Sequence, residues 1–327
     1  MSRRFRLFIA MLAIAGAAPA LADTPEAEAA PVQMPQVSAG TVVAWPDLAS
    51  AHLALVPDVW VWLPPGYEAQ PQRKFPVLYM HDGHNLFDRR LSNFDKEWQV
   101  DEAIARMAGR GDLREWIVVA IRAPDARYKT LFPEKLLPHL PADMQQEVLI
   151  GEFGSSAGDQ ALRADEYLAF LVRELKPRVD REFRTLAGPR DTAIMGSSMG
   201  GLISLYAIAE YPRVFGQAAG LSTHLPLVDP RSGSAEERSS AVAAAFGKYF
   251  ASTALSRRHN RIYIDHGTGT LDAFYPPYFK AFDRMMQDGG WAAPEFESRA
   301  FFGTEHEENA WAQRLDIPLG FLDRDDP

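Results

Sequence analysis

Ser198, Asp272 and His306 follow one another along this chain in an order that could activate a hydroxyl for attack on a carbonyl carbon. The serine sits in Gly196-Ser197-Ser198-Met199-Gly200-Gly201, a G-x-S-x-G string. Such a string sets its serine on a sharp turn when a strand precedes it and a helix follows. Both flanks fit: Asp191-Thr192-Ala193-Ile194-Met195 reads as a short buried strand, and Leu202 to Ala209 as a helix ending near Pro212. The glycines at 196 and 200 suit a turn that needs φ values or backbone approaches a side chain would obstruct. A serine hydroxyl is a weak nucleophile near neutral pH, so it needs a base within hydrogen-bond reach and an acid that orients the base.

The histidines after Ser198 are His224, His266 and His306. His306 lies in Gly303-Thr304-Glu305-His306-Glu307, after the last expected strand and before an expected helix carrying Trp311 and Leu315, where a base can swing over the serine turn. It is the expected base; His224 and His266 otherwise read as loop histidines. Two acids follow Ile264. Asp272, beyond Gly267-Thr268-Gly269-Thr270-Leu271, is favoured over Asp265 because the acid must clear the strand tip to meet a base arriving from the next loop. Asp265 would instead cap the glycine-rich turn. Glu305 and Glu307 neighbour the base in sequence and suit the start of the final helix. A developing oxyanion needs two N–H donors, one from the residue after the nucleophile and one from an earlier loop. Met199 supplies the first, and His84 of His81-Asp82-Gly83-His84 the second, with Gly83 allowing close approach. The same loop could be read as metal ligands. Two histidines three apart with no further spaced cluster lack the pattern of a metal site, so neither metal nor cofactor is expected.

These residues need a scaffold that brings distant loops to one edge. Val59–Leu63, Phe75–Met80, Trp116–Ile121, Arg261–Asp265 and Phe296–Phe302 read as strands alternating with helical stretches. That alternation predicts an α/β fold with a mainly parallel sheet flanked by helices. Leu168, Leu171, Leu175 and Val179 recur at helical spacing and give a helix a sheet-facing stripe. Residues 127–164, with several prolines, scattered aromatics and Gly154-Ser155-Ser156, read as an insertion over the strand ends, where a substrate pocket is shaped. Trp98, Phe132, Phe274, Tyr275 and Tyr278 could line that pocket, although an aromatic in such a fold is more often core.

The chain opens with Arg3-Arg4-Phe5-Arg6, an apolar run from Leu7 to about Ala18, and the small-residue exit Ala20-Leu21-Ala22. This is the layout of a secretory signal with cleavage after Ala22. The apolar run is shorter than the roughly 20 residues a bilayer span requires, so no stable membrane insertion is expected after cleavage. Residues 23–37, rich in Pro, Ala and Glu, read as a flexible spacer, and 38–327 as a single catalytic domain in the periplasm or outside the cell. No cysteine is present, so an exported chain must be held by its core alone. With 34 basic against 43 acidic residues, spread rather than blocked, nucleic acid is an unsuitable partner.

The runs Trp62-Leu63-Pro64-Pro65-Gly66-Tyr67, Tyr79 to Asp88, Gly196 to Gly201 and Gly303-Thr304-Glu305-His306 resemble the esterase family that includes esterase D, trilactone siderophore esterases, feruloyl and acetyl-xylan esterases and the antigen 85 mycolyltransferases. The resemblance covers about residues 38 to 320. It implies an α/β-hydrolase fold without a metal, Ser198, Asp272 and His306 as a triad, and the His84 and Met199 N–H groups as an oxyanion hole. The implied activity is hydrolysis of a small-molecule or saccharide-linked carboxylic ester through an acyl-enzyme. Transfer of the acyl group to an alcohol or sugar, or an inactive binding protein on the same fold, are the alternatives. Many relatives carry Ser-Pro-Ser where this chain has Ser222-Thr223-His224. Residues 127–164 match no specificity signature, so the substrate within the ester class stays open.

Overall fold

The computed structural model describes residues 33–45, 48–150 and 161–323. The expected signal segment, residues 23–32 of the expected spacer and Gly154-Ser155-Ser156 lie outside the described residues.

Eight strands form one sheet: β1 (Thr41–Trp45), β2 (Val59–Leu63), β3 (Val77–Met80), β4 (Ile117–Ile121), β5 (Thr192–Ser197), β6 (Gln217–Leu221), β7 (Arg261–His266) and β8 (Phe296–Ala300). Their order across the sheet is β1-β2-β4-β3-β5-β6-β7-β8. β1 and β2 join antiparallel at one edge, and β4 through β8 run parallel. The helices are α1 (Val100–Arg110), α2 (Arg127–Leu131), α3 (Ala142–Ile150), α4 (Ala164–Phe170), α5 (Lys176–Glu182), α6 (Met199–Glu210), α7 (Ala235–Ala251), α8 (Pro276–Asp288), α9 (Glu308–Ala312) and α10 (Asp316–Leu322).

The strands β2 to β5 are buried along their whole length, as expected when helices cover both faces of a sheet. Alternation sorts their side chains into two cores. Val59, Val61, Val77 and Tyr79 face the layer that contains α4 to α8, whereas Trp60, Trp62, Leu78 and Met80 face α1 and α10. Leu168, Leu171, Leu175 and Val179 are all buried in the first core. They lie on a continuous helical run over 164–182 with a π-turn at Leu171–Leu175 between α4 and α5.

The expected strands form, with small differences at their ends. Phe75 stays outside β3 and makes a single bridge to Thr185. β1 and β6 add to the expected set. β6, Gln-Ala-Ala-Gly-Leu, carries no β-branched residue, and its conformation comes from pairing with β5 and β7 on both sides. Residues 127–150 and 161–164 also hold more regular structure than an excursion over the strand ends suggests. They contribute α2, a 3-10 stretch at Glu134–His139 and α3, with Leu131, Phe132, Leu136, Leu140, Met144 and Val148 packed into the first core.

Parallel order places the carboxyl ends of β3, β5, β6, β7 and β8 on one edge, where ligands bind in open α/β sheets. At that edge α6 runs back close to β5. A Cβ on Gly196 would lie 2.7 Å from the carbonyl carbon of Gly200, so a glycine is demanded by proximity rather than by φ. Gly196→Ala is therefore expected to lower stability by about 1–3 kcal/mol. A parental urea midpoint for that variant would show that the strand and helix separate without cost.

Candidate active site

The turn after β5 puts its strain on Ser198 itself. Its φ of 53° and ψ of −117° are sterically disfavoured for a side-chain-bearing residue, and it directly precedes the first residue of α6. Within 192–201 Ser198 alone is not buried. Its backbone is stitched to the next strand: the Ser198 N–H donates to Leu221 O at 2.9 Å, and the His224 N–H donates to Ser198 O at 3.1 Å. Among the described residues the Ser198 hydroxyl has no hydrogen-bond partner.

Asp272 and His306 are brought together. His306 Nδ1 lies 2.7 Å from Asp272 Oδ1, and the His306 loop is held by the His306 N–H donating to Thr270 Oγ1 at 2.9 Å. The other oxygen, Asp272 Oδ2, accepts from Ser222 Oγ at 2.5 Å and from the Gly267 N–H at 2.6 Å. Burial pushes the Asp272 carboxyl up. The donors outweigh it, His306 first and then Ser222 and Gly267, and leave it below its ordinary value. An ionised Asp272 accepts from Nδ1–H and leaves the His306 Nε2 lone pair free. The imidazole is walled by Trp311, with ring centroids 5.2 Å apart and planes at 80°, and by Tyr275 at 5.8 Å and 82°.

Among the described residues no hydrogen bond joins Ser198 to His306, and His224 and Tyr275 lie between them. His224 follows β6, and its Nδ1 lies 2.7 Å from Tyr275 Oη, the ring of which meets His306. Buried almost completely, His224 is held neutral: burial first, then the charges of His306 and Arg127, lower its pKa from 6.5 to about 3.

The loop after β3 packs against β4 and β5. The His81 N–H donates to Met195 O at 3.0 Å, tying the tip of β3 to β5. A Cβ on Gly83 would lie 2.7 Å from backbone atoms of Ala120 and Ile121, so only glycine lets this chain pass β4 so closely. His84 is the second residue of the 3-10 turn Gly83–Asn85, and Met199 is the first residue of α6. Both N–H groups open helical turns, where no intrahelical acceptor is available. The side chains of the loop diverge: His81 Nδ1 to Tyr167 Oη at 2.8 Å, Asp82 to Arg127, and His84 Nε2 to Asn93 Nδ2 at 3.1 Å. They do not converge on one centre, and among the described residues no group of three or more His, Cys, Asp or Glu is arranged around a metal position. Burial lowers the His81 pKa from 6.5 to about 4, with Asp82 opposing and Arg127 reinforcing the shift.

One expectation is corrected. Asp265 neither orients the base nor caps the glycine-rich turn. It accepts from Arg314 at 2.9 and 3.2 Å, from Tyr263 Oη at 3.0 Å and from the Ser222 N–H at 2.9 Å. Of the five aromatics, Trp98, Phe132, Tyr275 and Tyr278 are buried, and Phe274 alone is exposed. Glu307 does begin a helix, α9, which carries Trp311, accepting from the Asn309 and Ala310 N–H groups; α10 follows it. Arg127 was not expected in the site. It pairs with Asp82 through Nε at 2.7 Å and Nη2 at 2.5 Å, and Nη2 also reaches Ser197 O at 3.4 Å. No local pattern marks it, since its partners lie 45 and 70 residues away.

The sheet order and the strand–turn–helix around Ser198 are those of an α/β-hydrolase. The chain belongs to the family described as "Putative esterase", whose model matches residues 50–317. It is similar in structure to a ferulic acid esterase, with 20% identity over 87% of this chain and 98% of that one and a TM-score of 0.60. The ferric enterobactin esterase of Salmonella typhimurium is 20% identical over 88% of this chain and 59% of that one, with a TM-score of 0.55. In sequence, YbbA of Bacillus subtilis (strain 168), described as an uncharacterized protein, is 24% identical over 162 residues, 50% of this chain and 54% of that protein. The chain spans about half the length of the curated relatives it matches.

Two stability tests follow from the buried polar groups. Asp265→Asn leaves the buried Arg314 charge without its counterion and is expected to lower stability by about 3–5 kcal/mol; an unchanged denaturation midpoint would remove that pair from the fold's supports. His81 and His224 couple stability to pH. The unfolded chain protonates both as pH falls through about 6.5, whereas the folded chain resists until about 4 and about 3. Unfolding thus takes up protons, and stability is lost as pH falls below 6.5, by about 1–3 kcal/mol per histidine. Asp101, pushed up to about 7 by burial and by Glu102, acts in the opposite sense, so the comparison is with variants. His81→Gln and His224→Gln should each flatten the slope of melting temperature against pH between 6.5 and 4; parental slopes in both would refute the coupling.

Proposed function

We propose that this chain is a serine carboxylic-ester hydrolase with Ser198 as nucleophile, His306 as base and Asp272 as the orienting acid. The observation that carries the reading is the 2.7 Å His306–Asp272 pair standing at the same sheet edge as a strained, solvent-reaching Ser198. Ser198 Oγ attacks the ester carbonyl carbon as its proton passes to His306 Nε2, a hydrogen bond that forms with substrate in place. Negative charge on the carbonyl oxygen is met by the Met199 and His84 N–H groups. The carbon–oxygen bond to the alcohol breaks, and the alkoxide leaves with the proton from His306. Water then gives a proton to His306 and attacks the acyl-enzyme, and the acid departs as Ser198 regains its proton. Asp272 stays ionised throughout and holds Nδ1–H.

The names of the similar structures supply two ester classes to screen, ferulic acid esters and enterobactin. The basic start, apolar run and Ala20-Leu21-Ala22 exit support export with cleavage after Ala22. With p-nitrophenyl acetate as a generic ester, Ser198→Ala is expected to lower kcat on the order of 10⁴- to 10⁶-fold, and Asp272→Asn about 10⁴-fold. A fluorophosphonate should label Ser198, read by peptide mass spectrometry. Parental turnover in Ser198→Ala, or labelling at another residue, would overturn the assignment.

A further inference from the structure

Behind the His306–Asp272 pair lies a second set of buried polar groups that catalysis does not touch directly. Ser222 Oγ, fully buried at the end of β6, is 2.9 Å from Trp311 Nε1 and 2.9 Å from Arg314 Nη2. Indole and guanidinium nitrogens can only donate, and a hydroxyl has two acceptor positions and one proton. With both acceptor positions filled, the Ser222 proton has one remaining direction, toward Asp272 Oδ2 at 2.5 Å. Arg314 is held in turn by Asp265 and by Ala310 O at 3.2 Å, and Asp265 also accepts the Ser222 backbone N–H. Ser222 is therefore gripped at backbone and side chain by the same ion pair. It takes a left-handed conformation, with φ 43°, to reach both.

We propose that Ser222 is a positioning residue for the triad. Its hydroxyl, locked as a donor by Trp311 and Arg314, holds Asp272 ionised and in the rotamer that presents Oδ1 to His306; Asp265 is the anchor that keeps Arg314 in place. The proposal rests on the assignment of Asp272 and His306 above. It also gives two of the buried aspartates distinct tasks: Asp272 faces the base, and Asp265 faces the clamp that aims Asp272.

Ser222→Gly separates positioning from folding. Glycine takes φ 43° without strain, so the turn survives while the hydroxyl is lost. The full chain is compared with its parent for thermal melting, for kcat and KM on p-nitrophenyl acetate, and for the downfield ¹H resonance of His306 Nδ1–H, assigned by its loss in His306→Gln. The expected result is a still cooperative melt below the parent's, since Trp311 and Arg314 lose a buried acceptor, with KM within about twofold and kcat lower by about 10- to 100-fold. The downfield resonance should shift or broaden as Asp272 loses its orientation. Parental kcat together with a parental resonance would overturn the proposal. If the parent itself turned over no ester, the functional reading would fall, and the resonance alone would still decide whether Ser222 aims Asp272.

Discussion

A carboxylate sealed from solvent is the constraint around which this edge of the sheet is built. An isolated buried anion is strongly disfavoured unless its lone pairs are met. Asp272 meets them with His306, Ser222 and Gly267, from three separate segments of chain. Each donor then needs its own support. Ser222 is held by Trp311, Arg314 and Asp265, and the His306 loop is held through Thr270 Oγ1 and through Thr304 O, which accepts from the Thr268 and Gly269 N–H groups. The turns after β6, β7 and β8 therefore take their shapes from one charge, and a second buried aspartate, Asp265, fixes the cation that completes the set.

The same edge concentrates backbone strain. Asp82, Ser198, Ser222 and Thr270 have φ of 55°, 53°, 43° and 50°, and they lie in the turns after β3, β5, β6 and β7. Each departure is of order 1–3 kcal/mol and persists only where the surroundings over-determine it. Here they do: the strands end side by side in the buried centre of the sheet, and the N–H groups of His81, Ser198 and His224 are bound to neighbouring strands or turns.

These facts separate what the sequence makes legible from what it does not. Gly196 to Gly201 announces its turn because close packing of α6 on β5 demands glycines at fixed spacing, and Asp272 and His306 follow from their places after strand-like runs. β6 leaves no trace, because Gln-Ala-Ala-Gly-Leu has no intrinsic strand preference and depends on its partners. Asp265 is misread for a related reason. A glycine-rich loop beside an aspartate suggests a local cap, yet its cation comes from Arg314, 49 residues further on. Ser222, Trp311 and Arg314 act across separations of 50 to 92 residues, where no local periodicity or motif can register them.

Arg127 changes how the segment 127–164 must be regarded. Read as an insertion, it would shape a pocket without touching the chemistry, and its sequence could vary freely with substrate. The structure ties its first helical residue to Asp82 in the loop after β3 and to Ser197 O, the carbonyl just before Ser198. Tyr128 then donates to Leu227 O at 2.6 Å, beyond the turn that carries His224. A displacement of α2 is therefore transmitted to both flanks of Ser198 at once. Residues that could select a substrate and residues that could cleave it share a rigid contact, so altering specificity through this segment will change kcat together with KM unless the Asp82–Arg127 pair is left intact.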